Sequence, residues 1–154
     1  MSAVEKPLVT PQLVEHSAGE RLFVIGEEIT VKLSSADTNG EFSLLTESSP
    51  PGGGPPPHVH ANEDETFIIT EGEFEFLIGT ETRRARPGDV VFGPRNVPHT
   101  FKNASSTPSR MYVLCTPAGL ENFFRRVDRE IGPGAPDIPK LLAIAGEHGL
   151  TFLT

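Results

Sequence analysis

Two histidines and a glutamate lie close together in the stretch GGGPPPHVHANEDETFIITEG, which covers residues 52–72. In a β-strand, successive side chains point to opposite faces, so His58 and His60 would share a face and aim two imidazoles at one point. Imidazole suits Zn, Cu, Fe and Ni, and the carboxylate of Glu65 adds an anionic oxygen that offsets the charge of a cation. The spacing therefore predicts a metal site with three protein ligands, although solvated polar side chains in a loop would explain this triplet alone equally well.

A second stretch adds a further histidine to this pattern. Residues 88–103 read GDVVFGPRNVPHTFKN and contain His99. Both stretches have a glycine turn, a hydrophobic strand and a proline near the histidine. Two strand-turn units of this kind can converge inside a β-barrel, which makes His99 a candidate partner of the first three residues.

The two stretches resemble the two sequence motifs of the cupin superfamily. The first motif is matched by Gly52, His58, His60, Glu65 and Gly72, and the second by Gly88, Pro94, His99 and Asn103. The chain departs from the pattern at Asn96, where the family usually has a glycine two residues after the proline. Asparagine tolerates the left-handed backbone region better than most residues, so we expect the turn to be retained.

This resemblance implies an all-β fold: a double-stranded β-helix (jelly-roll) barrel with a short C-terminal helical segment. It also implies one divalent transition metal per chain, with the ligands His58, His60, Glu65 and His99. Three neutral imidazoles and one carboxylate would leave the charge of the cation near +1, and an octahedral cation would keep two open positions. Zinc prefers four ligands in structural sites, so a catalytic role favours Fe, Mn, Ni or Co over Zn.

The chain is similar to small single-domain cupins of the cupin_2 type, and among them to bacterial quercetin dioxygenase-like cupins. The similarity includes the tail that begins TPAGLENFFRRV. It implies a dioxygenase-type oxidoreductase that acts on a small enolic or aromatic, flavonol-like compound, with Glu65 as both ligand and catalytic base. Two alternatives stay open: a non-redox metal-dependent isomerase or decarboxylase, and a non-catalytic module that binds a small ligand.

Strand parity selects three apolar residues as candidate walls of a substrate pocket. Phe67 shares a face with Glu65, and both Val97 and Phe101 share a face with His99. If the polar residues point into the barrel, then Phe67, Val97 and Phe101 line the same interior. Ordinary core packing would produce the same pattern.

The length of 154 residues suits a single domain, divided into an N-terminal arm (1–20), a β-barrel (21–116) and a helical tail (117–154). Asn39-Gly40 is a hairpin signal, residues 65–70 and 73–78 read as a hairpin about Gly72, and the charged run 81–86 reads as an edge strand. The other predicted strands are 21–25, 28–33, 41–46, 90–92 and 110–116; the predicted helices are 119–131 and 137–147, with 150–153 as a final strand or packed tail.

Composition excludes several classes of partner. The formal charge of −8 disfavours nucleic acids and anionic membranes, and the apolar stretches are too short for a signal peptide or a membrane span. The single cysteine, Cys115, cannot form an intramolecular disulfide and reads as a buried inert thiol. We therefore expect a cytoplasmic protein with a small-molecule substrate, and the apolar helices and the arm suggest a homodimer, as is common among small cupins.

Overall fold

The computed structural model describes residues 9–153. The strands are β1 (Glu20–Val24), β2 (Glu27–Leu33), β3 (Ser43–Ser49), β4 (His58–His60), β5 (Asp64–Glu71), β6 (Phe74–Ile78), β7 (Glu81–Ala85), β8 (Val90–Gly93), β9 (His99–Asn103), β10 (Ser109–Thr116) and β11 (Leu150–Phe152). The helices are α1 (Ser35–Thr38), α2 (Leu120–Glu130) and α3 (Ile138–Glu147). The first eight residues of the predicted N-terminal arm lie outside the described range.

The strands form two antiparallel sheets that face each other across an apolar core. One sheet has the order β1-β2-β3-β10-β5-β8, and the other has the order β11-β4-β9-β6-β7. Strict alternation of buried and partly exposed residues in β3 shows how each strand turns one face inward. This arrangement confirms the predicted all-β jelly roll with a short helical segment near its C-terminal end, and it places β7 at a sheet edge as expected.

The predicted hairpin about Gly72 is wrong. β5 belongs to the six-stranded sheet and β6 to the five-stranded sheet, so the turn carries the chain from one sheet to the other. Gly72 has a φ of 77°, which favours glycine, and its backbone lies against Ser109. The Ser109 Oγ also accepts a hydrogen bond of 3.1 Å from the backbone N–H of Glu73, which fixes the crossing.

The Asn39-Gly40 turn signal does lie between two strands that pair antiparallel, β2 and β3, but the connection between them is longer than a tight hairpin turn. Residues 35–38 form the short helix α1, whose N-cap Ser34 exchanges hydrogen bonds with Asp37 in a capping box. Asn39 ends this helix in the left-handed conformation with a φ of 56°. Asn39 therefore serves as a helix cap within the connection from β2 to β3.

The C-terminal segment covers the barrel near β4. Helix α2 buries Leu120, Phe123 and Val127, and its Asp128 accepts a hydrogen bond of 2.9 Å from the backbone of Phe23 in β1. Strand β11 then pairs with β4, so the end of the chain extends the sheet that carries two of the histidines. None of the helices within residues 9–153 is long and apolar enough to cross a membrane.

Glu27 is a buried carboxyl at the start of β2, with only 5% of its surface exposed. The Oγ of Ser49 on β3 donates a hydrogen bond to its Oε2. Burial raises the pKa of Glu27 to about 7, against a smaller lowering by Ser49. Burial of this carboxyl therefore favours its protonated form in the folded protein.

We predict that Gly72→Ala destabilises the protein by about 1–3 kcal/mol more than Gly88→Ala. Both glycines have positive φ, at 77° and 93°, but a Cβ on Gly72 would lie 2.7 Å from the Cβ of Ser109, whereas a Cβ on Gly88 meets nothing within 4 Å. Urea unfolding of both variants measures the difference. Equal losses would show that the sheet crossing does not depend on close contact with Ser109.

We also predict that the free energy of unfolding falls between about pH 4.5 and 7 because of Glu27. The folded protein holds this proton up to about pH 7, whereas an exposed glutamate releases it near 4.5, so the folded state binds more protons in this window. Glu27→Gln should remove on the order of 1–3 kcal/mol of that fall. Urea unfolding in the presence of a chelator, with Glu28→Gln on the opposite face of β2 as control, tests this; identical pH dependence in wild type and Glu27→Gln would contradict it.

Candidate metal centre

Three buried histidines lie on two neighbouring strands of the five-stranded sheet. His58 and His60 point inward from β4 because they are two residues apart, and the β4–β9 register places His99 directly opposite His58. The ring centroids of His58 lie 4.9 Å from His60 and 4.5 Å from His99. The structure thus brings together the three histidines that the two sequence motifs predicted.

The fourth predicted residue reaches this group from the other sheet. Glu65 points inward from β5, and its Oε2 lies 3.1 Å from His60 Nε2 and 2.8 Å from His99 Nε2. One potential ligand atom from each of the four residues lies within 4.8 Å of the others, and all four side chains are buried. This group could hold one metal ion.

Hydrogen bonds on the far side of two rings fix how those rings face the centre. The His58 Nδ1–H can donate to the Pro56 carbonyl at 2.8 Å, and the His60 Nδ1–H to Glu63 Oε1 at 2.7 Å. In these tautomers the Nε2 of each ring keeps its lone pair for a cation, as in metal sites whose histidines are oriented by outer partners. Sequence reasoning missed Glu63; a carboxylate three residues after His60, between two predicted ligands, was the available signal.

Unsatisfied buried atoms support the fit of a cation to this group. Within residues 9–153, Glu65 Oε2 and both ring nitrogens of His99 are buried without a hydrogen bond of acceptable geometry. Glu65 Oε2 and His99 Nε2 are nevertheless only 2.8 Å apart. Buried polar atoms normally have partners, and atoms that approach each other without bonding are what a shared central ligand would leave. The donor set of three imidazoles and one carboxylate matches a first-row divalent transition metal.

The His99 ring is positioned by its neighbours rather than by a hydrogen bond. A Cβ added to Gly93 would lie 3.2 Å from His99 Nδ1, so glycine leaves the room that this ring occupies. On another side the Phe67 ring lies against it, with centroids 5.7 Å apart at an interplanar angle of 75°. Tight packing in a dry environment therefore restrains the ring that lies opposite His58.

The charges of the group are coupled. Burial lowers the pKa of His58 to about 4, and the neighbouring His99 and His60 contribute to that shift. Burial alone would lower the pKa of His60, but the charge of Glu65 and the hydrogen bond to Glu63 raise it instead. Burial would raise the pKa of Glu65, yet His60 and His99 hold it well below its ordinary value. Glu65 is therefore ionised at neutral pH, and a cation would compete with a proton for His60.

A cavity of about 60 Å³ opens beside the histidines. Its lining residues are Val24, Ile25, Glu27, Ile29, Glu47, Pro55, His58, His60, Glu65, Phe101, Leu120, Phe123, Phe124, Leu150 and Phe152. At roughly 10–15 Å³ per water, it has room for a handful of water molecules or a small organic group. Most of its wall is apolar, and α2 and β11 supply five of its residues.

The three predicted wall residues have different positions. Phe101 lines the cavity, whereas Phe67 packs behind His99 and against Phe76, away from the cavity wall. Val97 lies in the turn before β9, which begins only at His99, so strand parity does not apply to it. Among the residues that the structure describes, only Phe101 of the three lines the cavity. A role of any of them in binding substrate stays a prediction.

Comparison with known proteins gives the same family as the motifs. Residues 45–115 match the family model of the cupin domain. A quercetin 2,3-dioxygenase of Bacillus subtilis is 26% identical over 115 residues, which cover 75% of this chain but only 34% of that protein. An uncharacterised protein of Aquifex aeolicus is 27% identical over 92 residues, covering 60% of this chain and 72% of the relative.

Solved structures share the fold. KdgF from a Halomonas species superposes with a TM-score of 0.66 at 19% identity, covering 73% of this chain and 99% of that one. A predicted oxalate decarboxylase of Thermotoga maritima gives 0.62 at 23% identity, with 69% and 99% covered. These similarities show the fold alone. The match to the cupin domain covers slightly less than half of the chain, and it includes all four members of the buried cluster of three histidines and a glutamate.

Proposed function

We propose that this protein is a metal-dependent, dioxygenase-type oxidoreductase that acts on a small enolic or aromatic compound. The observation that carries the proposal is the cluster of three buried imidazoles and one carboxylate, whose members His58, His60 and Glu65 open directly onto an apolar cavity. A structural metal site would be closed by protein ligands on every side. Here the cluster borders a space that a substrate oxygen can enter.

The ligands would be His58, His60, Glu65 and His99, holding one divalent cation, with Fe, Mn, Ni or Co favoured over Zn. When bound, such a cation would supply a Lewis-acid centre that lowers the pKa of an enol or phenol. The chain contributes the fixed imidazole orientations, through the hydrogen bonds of His58 to Pro56 and of His60 to Glu63.

The cavity wall supports an apolar, planar substrate. Phe101, Phe123 and Phe152 line it, and their rings would exclude water from a flat ligand that reaches the histidines. Exclusion of water strengthens every electrostatic contact at the reacting group and protects reactive species from hydrolysis. The small volume favours compounds with one ring or a short diketone chain unless the α2 side of the wall moves.

Glu65 is proposed as the proton acceptor as well as a ligand. Its carboxylate is ionised at neutral pH, because the neighbouring histidines lower its pKa, and it lies on the cavity wall. It is therefore within reach of an enol or phenol proton that leaves as the substrate oxygen approaches the cluster. A low pKa makes it a weak base, so this role requires a substrate acidified by the metal.

The similarity to the Bacillus subtilis dioxygenase supports the oxygenase reading over a non-redox isomerase or decarboxylase, which would use the same cluster. Oxygen uptake separates the two. The apo protein is loaded separately with Fe, Mn, Co, Ni or Zn and tested with catechols, diketones and flavonols. We expect oxygen consumption equimolar with substrate loss for at least one redox-capable metal. Substrate turnover without oxygen uptake would replace the proposal with the non-redox alternative, and tight binding without turnover would replace it with the ligand-binding module.

We predict that His60→Ala reduces metal content from about one ion per chain to well below half, since it removes one of the four ligands, the one that Glu63 orients. Elemental analysis after loading and gel filtration measures this, with circular dichroism to verify the fold. His16→Ala is the matched control, because His16 is exposed and lies outside the cluster. Full metal stoichiometry in His60→Ala would remove His60 from the ligand set.

We predict that Glu65→Gln keeps part of the metal but lowers kcat by about 100-fold or more, because an amide is not a base at neutral pH. Glu71→Gln on the same strand is exposed and should behave as wild type. Metal content and oxygen uptake are measured on the same samples, so that loss of metal and loss of proton transfer are separated. Unchanged kcat per bound metal would reject the role as a base.

The homodimer and the cytoplasmic location expected from the sequence stay predictions.

A further inference from the structure

Two carboxyl groups line the cavity without belonging to the histidine cluster. Glu27 points inward from β2 and Glu47 from β3, with 5% and 8% of their surfaces exposed. Both border the cavity that His58, His60 and Glu65 also border. Neither residue matches a cupin motif, and the proposed reaction assigns a role to neither.

Glu47 is the unusual member of this pair. Its side chain has no hydrogen bond or ion pair to any residue in the described range 9–153, although more than nine-tenths of its surface is buried. Glutamate is almost never buried without a partner, because loss of its hydration is unfavourable. A buried carboxyl that lines a cavity and lacks a partner is therefore a group that a ligand can satisfy.

Glu27, by contrast, is already held. Its Oε2 accepts a hydrogen bond from Ser49 Oγ. Its Oε1 lies 2.9 Å from the position that a Cβ on Gly53 would take, so the glycine leaves room for it. Glu27 thus has a fixed place beside the cavity, and Glu47 is the carboxyl left to meet a ligand.

The charge state of Glu47 indicates which ligand group it suits. Burial, followed by the charges of Glu27 and Glu65, raises the pKa of Glu47 well above the ordinary value, which favours the protonated carboxyl. A neutral carboxyl both donates and accepts, which complements a hydroxyl. The described residues that line the cavity include no lysine or arginine to pair with a ligand carboxylate, and an ammonium would require an ionised pair in a largely apolar cavity.

We propose that Glu47 is a specificity-determining residue that hydrogen-bonds a hydroxyl at one end of a small apolar ligand whose other end presents oxygen atoms to the histidine cluster. Glu27 borders the same cavity but is already held by Ser49. The inference rests on the proposed metal centre but not on the oxygenase reaction. It narrows the substrate class to compounds with a metal-binding oxygen pair and a distal hydroxyl.

Two hydroxamates that differ only in a distal hydroxyl test this proposal. Benzohydroxamate and 4-hydroxybenzohydroxamate both bind divalent metals through the same two oxygens, and the second carries a hydroxyl at the far end of the ring. Their dissociation constants for the cobalt-loaded protein are measured by calorimetry, after cobalt content has been verified. We expect 4-hydroxybenzohydroxamate to bind wild type about threefold to tenfold more tightly, the range of one hydrogen bond in a dry pocket.

Variants of Glu47 assign this difference to the carboxyl. Glu47→Leu and Glu47→Met are two apolar replacements of similar size. In both, the ratio of the dissociation constants of the two hydroxamates should fall to about one, while benzohydroxamate keeps its affinity within about threefold. Glu47→Gln should retain part of the ratio, since an amide also donates and accepts. Glu28→Gln changes the neighbouring outward-facing carboxyl of β2 and should leave the ratio as in wild type.

Each outcome decides the proposal. Equal binding of the two probes to the cobalt-loaded wild type, or binding of neither, overturns it. A ratio that survives in Glu47→Leu or Glu47→Met overturns it as well. Failure of the wild type to take up cobalt would instead reject the metal centre, so that the two proposals fail by different measurements.

Discussion

Glu65 carries a negative charge from one sheet of the barrel to three imidazoles of the other, and the rest of the interior is arranged around that contact. Its Oε2 lies within about 3 Å of two histidine nitrogens, in a space that water barely reaches. An ionised carboxylate in such a place is stable only if positive charge lies beside it. In the protein alone that charge is a proton on His60, whose pKa is raised by Glu65. A divalent cation could take the place of this proton, so the buried carboxylate favours cation binding at this point of the interior.

The fold supplies this contact with few residues. Strand β4 has only three residues, and alternation puts both of its histidines on the inner face. Strand β9 faces it in a register that aligns His99 with His58, while Gly93 in β8 lies opposite Glu65 on the neighbouring strand and leaves space for the His99 ring. Small errors of register would turn any of these side chains outward. Precise pairing around the centre is thus a condition for its chemistry.

Most of the centre could be predicted from the sequence, because motif spacing and strand parity are local properties. The residues His58, His60, Glu65 and His99 were identified in this way, and Asn96 does adopt the left-handed conformation with a φ of 65°. The hairpin about Gly72 was predicted wrongly because a glycine turn between two strands does not reveal whether they stay in one sheet. Val97 was placed on a strand that in fact begins two residues later. Glu27 and Glu47 were missed because their proximity to the centre depends on tertiary packing, whereas Glu63, three residues after His60, could have been found from its spacing.

The pairing of β11 with β4 has a consequence for how firmly the histidine strand is held. Strand β4 forms one aligned residue pair with β9 but three with β11, which follows much later in the chain. Further backbone hydrogen bonds join Ala61 to Gly149 and Leu153 to Pro57 on either side of this pairing. The strand that bears His58 and His60 is therefore held between β11 on one side and β9 on the other. Loss of β11 would therefore expose the backbone edge of the strand that bears both histidines, and its alignment would then rest on the single aligned pair with β9.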